Sequence, residues 1–295
     1  MQDEAPLVRD RWLCETRISD GPHGTVWRAW DQRLRRVVAL RVVHAPLMGD
    51  PKVRRRIDRL LNVTAELQND NMSYLYDVFE EDGLGVVLIS ELIDGPTLTE
   101  VRRQLGPLPS DAVAAIGSQL ADGLAAIHAA GVAHRDLSPE NVRITADGTV
   151  KILGFSAARL LADSTATPAA GVEDEANYLA PEQLDGGPSD QRSDVYALGL
   201  LLWELATGVH PQELAHASQA EGPGGPHEVP PLSGLRDDVP SQLSEAIEVA
   251  TRPDPADRWP DAVAFGEQLG RLCSARPRLV LRGVPGIAEL DGPAA

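Results

Sequence analysis

The residues best able to do chemistry in this 295-residue chain lie in three short segments. Gly21 and Gly24 are three positions apart, residues 134–141 read His-Arg-Asp-Leu-Ser-Pro-Glu-Asn, and residues 151–156 read Lys-Ile-Leu-Gly-Phe-Ser. Glycines let backbone N–H groups approach a phosphate closely. Positioned charges stabilise a phosphoryl group while it is transferred. These segments therefore point to phosphate chemistry.

Four motifs in a fixed order carry a resemblance to a known family. They are residues 134–141, Ala180-Pro181-Glu182, residues 193–199 (Ser-Asp-Val-Tyr-Ala-Leu-Gly) and residues 254–259 (Asp-Pro-Ala-Asp-Arg-Trp). With them the chain resembles the bacterial Ser/Thr protein kinases of eukaryotic type, from about residue 10 to residue 273. The resemblance implies an α+β, two-lobed protein-kinase-like fold. We expect a small antiparallel-sheet N-lobe with one main helix (10–93), a larger mostly helical C-lobe (94–273) and a Pro/Gly-rich tail (274–295).

The hydrophobic pattern agrees with this division. Residues rich in β-branched side chains predict strands at 17–30, 37–43 and 86–92, and a small hairpin at 142–144 and 150–153. Apolar residues at helical spacing predict helices at 52–67, 110–130, 195–205, 241–251 and 260–273. The Gly/Pro-rich stretch 211–233 is predicted to be a loop.

Some motif residues are expected to preserve the fold rather than the chemistry. In the family a glutamate like Glu182 pairs with an arginine like Arg258, and an aspartate like Asp194 caps the turn of the His-Arg-Asp motif. The resemblance also assigns structural positions to Arg135 and, in the apolar spine, to His134 and Phe155. Their presence does not prove catalysis.

The residues that handle charge depart from the family pattern. The family's base is present as Asp136 and its second metal ligand as Asn141. The strand lysine is replaced by Arg41, and the lysine after the base by Ser138. The position of the metal-binding aspartate holds Gly154. The helix glutamate aligns with Leu60, although a shift of one or two residues gives Arg59 or Asp58.

The nucleotide site implied by the resemblance looks degenerate. Gly21 and Gly24 enclose Pro22, which lacks an N–H donor, so an ordinary hairpin turn competes with a phosphate-binding loop. Arg143 stands where the family packs an apolar residue against adenine, and it either loses that packing or fills the site. The full set of predicted site residues is Gly21, Gly24, Val26, Ala39, Arg41, Ser90, Glu91, Leu92, Arg143 and Gly154.

From these losses we expect a pseudokinase, which is a catalytically inactive regulatory or scaffolding domain and not an enzyme. No cofactor is expected, metal-dependent binding is disfavoured, and ATP binding without catalysis is left open. The alternative is a weakly active ATP-dependent Ser/Thr kinase that uses Asp136, Asn141 and Arg41 with Mn²⁺ at a divergent metal site.

The expected partners are proteins. The chain is similar to the kinase-like module of the mycobacterial lipid II flippase, which implies phosphorylation by an active Ser/Thr kinase and recognition by a forkhead-associated or other phosphothreonine-reading domain. The candidate phosphosites are Thr165, Thr167 and Thr251. Alternatively, the acidic residues 173–175 pair with Arg135 and imitate phosphate. The family also uses the back of the N-lobe as a dimer surface.

The charge distribution excludes some partner classes. The formal net charge is −17, and the residues after Glu91 carry 14 Lys+Arg against 29 Asp+Glu. Such a surface disfavours nucleic acid and anionic membranes. The N-terminus lacks a signal-peptide pattern, and only two cysteines are present, at distant positions. We expect a cytoplasmic location, including the cytoplasmic face of a membrane through a partner or a further segment.

Overall fold

The computed structural model describes residues 7–21, 24–43, 55, 67–153, 177–211, 213 and 229–273. These residues divide into two compact units. The N-lobe is formed by described residues of Met1–Gln68 and Ser73–Ile93. The C-lobe is formed by Asn69–Met72, Asp94–Leu153 and described residues of Thr165–Ala295.

The N-lobe is built on one antiparallel sheet of six strands. The strands are β1 (Leu7–Val8), β2 (Trp12–Gly21), β3 (Gly24–Asp31), β4 (Arg36–Val43), β5 (Leu75–Glu81) and β6 (Gly85–Ser90), in the spatial order β1-β2-β3-β4-β6-β5. The strand predicted over residues 17–30 is therefore two strands, because Gly21 of β2 pairs with Gly24 of β3 in an antiparallel ladder. Strand β5 was not predicted.

One face of this sheet forms the N-lobe core. Alternate residues of β4, namely Val38, Leu40 and Val42, are buried on it together with Trp12 and Phe79, whose rings stack at 5.0 Å between centroids. Because side chains alternate across a strand, the residues between them, such as Ala39 and Arg41, lie on the opposite face.

The C-lobe is mostly helical among the residues described. Its helices are α1 (Leu98–Leu105), α2 (Ser110–Ala129), α3 (Pro181–Leu184), α4 (Gln191–Thr207), α5 (Ser241–Ala250) and α6 (Ala262–Arg271). A two-stranded hairpin, β7 (Val142–Ile144) and β8 (Val150–Ile152), completes it. The predicted fold class, with a sheet-based N-lobe and a helical C-lobe, is confirmed. Helix α1 was not predicted.

Helix α4 is the centre of the C-lobe. It begins at the cap residue Asp190, whose side chain accepts a hydrogen bond from Arg192 N at 2.7 Å, and ends at Gly208, which has a left-handed φ of 80°. Every residue from Ser193 to Ala206 is buried. Helix α2 is long and apolar enough to span a membrane by length and composition alone, but ten of its residues are buried within the C-lobe.

The segment Asn69–Met72 belongs to the C-lobe, whereas the predicted boundary at residue 93 placed it in the N-lobe. Asn71 Nδ2 donates to Val150 O at 2.8 Å, and Met72 forms a parallel bridge with Ile152. These bonds fix the segment on hairpin β7–β8 and explain the difference.

Candidate active site

One buried carboxylate supports the backbone of the loop of residues 134–141. Asp194, on α4, is 0% exposed and accepts hydrogen bonds from His134 N at 2.8 Å and Arg135 N at 2.6 Å. Arg135 has a positive φ of 63°, which is unfavourable for a residue with a Cβ. The two bonds to Asp194 hold this conformation, so the aspartate caps the turn where the motif placed it.

A third bond to Asp194 comes from a residue that the motifs did not single out. The ring of His128, at the end of α2, lies with Nε2 2.7 Å from Asp194 Oδ2. Burial raises the pKa of Asp194, but the hydrogen bond from His128, the charges of His128 and His134 and the backbone bond from Arg135 together outweigh it, so the pKa lies below its ordinary value. The signal in the sequence was a single polar residue near the end of an apolar helix.

Asp136 and Asn141 are brought together by the loop. Asn141 Nδ2 donates to Asp136 O at 2.9 Å and to Asp136 Oδ2 at 3.2 Å, and Asp136 N donates to His134 Nδ1 at 3.3 Å. The amide nitrogen of Asn141 is thus turned toward Asp136, which leaves its oxygen Oδ1 as the atom that could bind a cation. Asn141 O also accepts from Leu153 N at 2.7 Å, which ties the loop to β8.

A small cavity opens beside Asp136, and we call it the Asp136 cavity. It is lined by Asp136, Ser138, Tyr178, Leu179, Gln183 and Ser193, among others. Ser138 is 6% exposed and contributes a hydroxyl where the family has a lysine. The wall opposite the loop comes from residues 178–183, which follow the stretch that is not described.

Glu182 and Arg258, separated by 76 residues in sequence, meet in a bidentate ion pair. Ser193 Oγ donates to the same carboxylate at 2.6 Å. The guanidinium also donates to the carbonyls of Arg252, Pro253 and Arg192. This pair anchors the beginning of α3 to the segment before α6.

Arg143, on β7, contacts the segment that precedes α1. Its Nη1 donates to the carbonyl oxygen of Gly95, and the residue forms an isolated bridge with Thr97. Gly95 has a φ of 137°, and a Cβ there would lie 2.0 Å from Ile144 O. The backbone at Gly95 therefore lies very close to β7. The hydrogen bond to the Gly95 carbonyl fixes the position of the Arg143 guanidinium.

In the N-lobe, four predicted site residues share one face of the sheet: Val26, Ala39, Arg41 and Ser90. Val26 is the cross-strand partner of Arg41, and Ala39 is the partner of both Arg28 and Ser90. Cross-strand partners point to the same side, and this side is opposite the N-lobe core. Arg28 lies on the same face, with Nε 3.2 Å from Glu15 Oε2.

The glycine turn has a structural explanation. Gly24 has a φ of 123°, and a Cβ there would lie 2.1 Å from Val42 O, so only glycine fits against β4. Asp20, whose charge would oppose a phosphate, accepts bonds from Arg17 Nη1 at 3.1 Å and Thr25 Oγ1 at 2.9 Å. Pro22 and His23 lie outside the described residues.

Several predicted residues also lie outside the described part of the chain: Asp58, Arg59, Leu60, Gly154, Phe155, Thr165, Thr167 and the acidic residues 173–175. Thr251 is described, and it is 6% exposed with Oγ1 donating to Ile247 O at 3.0 Å. A kinase cannot reach a buried hydroxyl in a folded domain, which removes Thr251 as a phosphosite.

Glu91 is one of the predicted nucleotide-site residues that the structure describes. Its Oε2 accepts a hydrogen bond from Tyr74 N at 3.2 Å.

The oxygen atoms at the loop suit a hard cation in part. Within the described ranges no group of three or more His, Cys, Asp or Glu side chains could hold a metal. Mg²⁺ and Mn²⁺ are often bound by one or two protein oxygens together with substrate phosphates. Asn141 Oδ1 beside the Asp136 carboxylate fits that kind of site.

Comparison with known families shows what the chain is similar to. The model of the protein kinase domain matches residues 13–258. The serine/threonine-protein kinase PknL of Mycobacterium bovis is 39% identical over 266 residues, which cover 90% of this chain and 66% of the relative. The serine/threonine-protein kinase PknB of Mycobacterium leprae is 33% identical, with 92% of this chain and 44% of the relative covered. The chain therefore spans less than two thirds of the length of these relatives.

The fold matches solved structures as well. A double mutant of the Mycobacterium tuberculosis PknI kinase domain superposes with a TM-score of 0.71 at 26% identity, covering 92% of this chain and 98% of the other. The relatives are named as kinases, that is, as enzymes. This finding contradicts the expectation that the chain is not an enzyme, which we had drawn from the lost charges.

Proposed function

This chain belongs to the protein kinase domain family, and on that premise we propose that it is an ATP-dependent Ser/Thr protein kinase with a divergent metal site. The observation that carries the proposal is the Asp136–Asn141 arrangement, with the amide 2.9 Å and 3.2 Å from two oxygens of Asp136. A scaffold would have no need of a carboxylate and an amide held together on a strained loop.

In the proposed reaction Asp136 acts as the base. It accepts the proton of a Ser or Thr hydroxyl as the hydroxyl oxygen bonds to the γ-phosphorus of ATP, and the bond to the β-phosphate oxygen breaks to release ADP. Asp194 keeps Asp136 in place through the backbone of His134 and Arg135. A divalent cation bound at Asn141 Oδ1 would neutralise charge on the phosphates.

Arg41 is proposed to supply the positive charge that the family takes from a lysine. It lies on the sheet face opposite the N-lobe core, with Val26 as its cross-strand partner. Arginine keeps the charge and has a larger, planar head group. The proposed activity is therefore retained, with altered nucleotide contacts.

The reaction is expected to be slow. Ser138 replaces a lysine and Gly154 replaces a metal-binding aspartate. Removing one electrostatic group from a preorganised site lowers kcat by roughly 10²–10³-fold in enzymes of other classes. The lost carboxylate is the reason to propose Mn²⁺ as well as Mg²⁺ as the supporting cation.

The partner predictions remain proposals. They rest on the resemblance to the flippase-attached module: Thr165 or Thr167 accepts phosphate from an active kinase, and a forkhead-associated domain reads the phosphothreonine. Mass spectrometry after incubation with an active Ser/Thr kinase would test this, and the absence of phosphothreonine in residues 154–176 would contradict it.

The test of the main proposal uses radiolabelled ATP and dephosphorylated casein, with Mg²⁺ or Mn²⁺. We expect incorporation by the wild type and a loss of about 100-fold or more in Asp136→Asn. The matched control is Asp237→Asn, at an exposed carboxylate far along the chain from the loop. If the wild type shows no incorporation above Asp136→Asn with either cation, the proposal is wrong.

A further inference from the structure

Hairpin β7–β8 has one buried face and one face that carries charge. Val142 and Ile144 of β7 are 0% exposed and pack into the C-lobe. Successive side chains of a strand point to opposite sides, so Arg143 and its cross-strand partner Lys151 share the other face, where both are half-buried. We call the side formed by residues Asn141, Arg143, Lys151 and Leu153 the Arg143 face.

The guanidinium of Arg143 is held in place and keeps most of its donors. Its Nη1 donates to Gly95 O. The backbone there is fixed in turn, because Ile144 N donates to Pro96 O at 3.0 Å. An arginine has five N–H donors in a planar fork and no acceptor, so the bond to Gly95 leaves four donors for a ligand. In the part of the chain that the structure describes, no carboxylate forms an ion pair with Arg143.

Asn141 decides which part of a nucleotide reaches Arg143. Leu153 N donates to Asn141 O at 2.7 Å, which continues the hairpin ladder and places Asn141 on the Arg143 face. Residues two apart in a strand are separated by about 7 Å. In the proposed reaction the cation on the phosphates lies at Asn141. A nucleotide that extends from there along this face therefore meets Arg143 with its base end, which is the end far from the γ-phosphate.

The two common purines differ at the edge that such donors would contact. Guanine presents two neighbouring acceptors, O6 and N7, whereas adenine presents the acceptor N7 beside the donor group N6–H₂. A guanidinium can donate to both acceptors of guanine, and this is the commonest specific contact between arginine and a base in protein–DNA complexes. Against adenine, one of the guanidinium donors would face another donor. Arg143 therefore suits a base with an oxygen at C6.

We propose that Arg143 is a specificity-determining residue for the nucleotide base, and that it shifts the preference of this chain from ATP toward the 6-oxopurine nucleotides GTP and ITP. The guanidinium, anchored on Gly95 O by one N–H, donates to O6 and N7 of the base with others. ATP is retained as the weaker phosphoryl donor. The inference rests on the proposed function, which supplies a nucleotide as the ligand and places its phosphates at Asn141.

The first test measures binding without catalysis. GTP and ATP compete with the fluorescent nucleotide TNP-ATP for the full chain in the presence of Mn²⁺. For the wild type we expect a Kd for GTP about tenfold lower than for ATP, within the range by which an arginine–guanine pair discriminates against a wrong base. Arg143→Met removes the donors, keeps the apolar stem and should bring the two Kd values within about twofold of each other. Arg143→Lys keeps one donor group and should retain part of the preference.

Two modified nucleotides identify the acceptors of the base. ITP has O6 and N7 but lacks the amino group of guanine, and it should bind the wild type as tightly as GTP. 7-Deaza-GTP lacks N7, and it should bind about fivefold more weakly than GTP to the wild type and equally well to Arg143→Met. The matched control is Arg103→Met, at an exposed arginine of α1, which should equal the wild type with every nucleotide.

The outcomes separate this inference from the proposed function. If GTP is preferred through Arg143 but neither GTP nor ATP labels casein, base selection stands and the kinase proposal fails. If the wild type labels casein from ATP but binds ATP and GTP equally, the kinase proposal stands and the inference is wrong. A lower melting temperature of Arg143→Met with an unchanged ratio of the two Kd values would show a purely structural role for the bond to Gly95. That result, or no binding of either nucleotide by the wild type, would also overturn the inference.

Discussion

Arg258 donates hydrogen bonds to both carboxylate oxygens of Glu182, with Nη1–Oε1 and Nη2–Oε2 distances of 2.8 Å each. The arginine side chain is 0% exposed and the glutamate side chain 13%. Burial raises the pKa of Glu182, and the hydrogen bonds from Arg258 and Ser193 outweigh it, so the pKa lies below its ordinary value. The pair is therefore ionised at neutral pH and contributes stability there.

Replacing Arg258 should destabilise the C-lobe strongly. Arg258→Met leaves the Glu182 carboxylate partly buried without its counter-charge, which costs about 3 kcal/mol in comparable buried pairs. Urea unfolding followed by tryptophan fluorescence measures the loss. Arg252→Met is the control, because Arg252 is exposed, and it should change stability by less than about 0.5 kcal/mol. Equal effects of the two changes would contradict the prediction.

The N-lobe should lose stability in acid through Asp31. The hydrogen bond from Arg11 is the main cause that lowers the pKa of Asp31 to about 2. A lowered pKa gives stability above the unfolded-state pKa, near 4, that is lost as the pH falls toward 2. Asp31→Asn should therefore cost about 2 kcal/mol at pH 7 and about half of that at pH 3.

The measurement for Asp31 is urea unfolding of both proteins at the two pH values. Asp77→Asn, at a half-buried carboxylate of β5, is the control. A difference between wild type and Asp31→Asn that does not shrink from pH 7 to pH 3 would contradict the assignment.

The conformation of the loop of residues 134–141 should depend on the charge of Asp194. In Asp194→Asn one oxygen is replaced by an NH₂ group that faces donors, and leaving such donors unsatisfied costs about 1–3 kcal/mol. We expect a lower melting temperature and a lower kcat, because the strained turn at Arg135 relaxes and moves Asp136. The control is Asp190→Asn at the cap of the same helix, where asparagine caps equally well. An unchanged kcat in Asp194→Asn would argue against this support.

Restoring the carboxylate at position 154 should accelerate the reaction. Gly154→Asp supplies the metal ligand that the family uses, and we expect kcat with Mg²⁺ to rise by about 10-fold or more. Gly154→Asn adds a side chain of similar size without the charge and should give a smaller gain. If both variants equal the wild type, the missing ligand is not what limits the rate.

The sequence predicted the groups whose roles are set by local motifs. Asp136 and Asn141 lie within eight residues of one loop. Asp194 and Arg258 each belong to a short motif that can be read from neighbouring residues. The predicted bracing of the loop by Asp194 and the pairing of Glu182 with Arg258 are both present as contacts. The sheet and the main helices also followed from periodicity, because side-chain spacing reflects which face is buried.

The sequence predicted less well what depends on packing between distant segments. It placed Asn69–Met72 in the N-lobe, treated Thr251 as a phosphosite and did not find the contacts that Tyr178 and Arg102 make with the buried Glu204. A lone glutamate inside the apolar run of α4 was the one available signal for the last of these. Losses of charged residues also led to an expectation of no enzyme, which the named relatives contradict.

By itself, then, the sequence determined the family, most of the strands and helices that the structure describes, and the placement of Asp136 and Asn141 on one loop. The tertiary structure decided which side chains are buried and what each one contacts. Glycine is required at position 24 because a Cβ there would lie 2.1 Å from a backbone oxygen of β4. Arg143 is fixed by its hydrogen bond to the carbonyl of Gly95. The physical reason is that motif residues interact over a few positions, whereas burial and ion pairing join segments that are brought together only by the folded core.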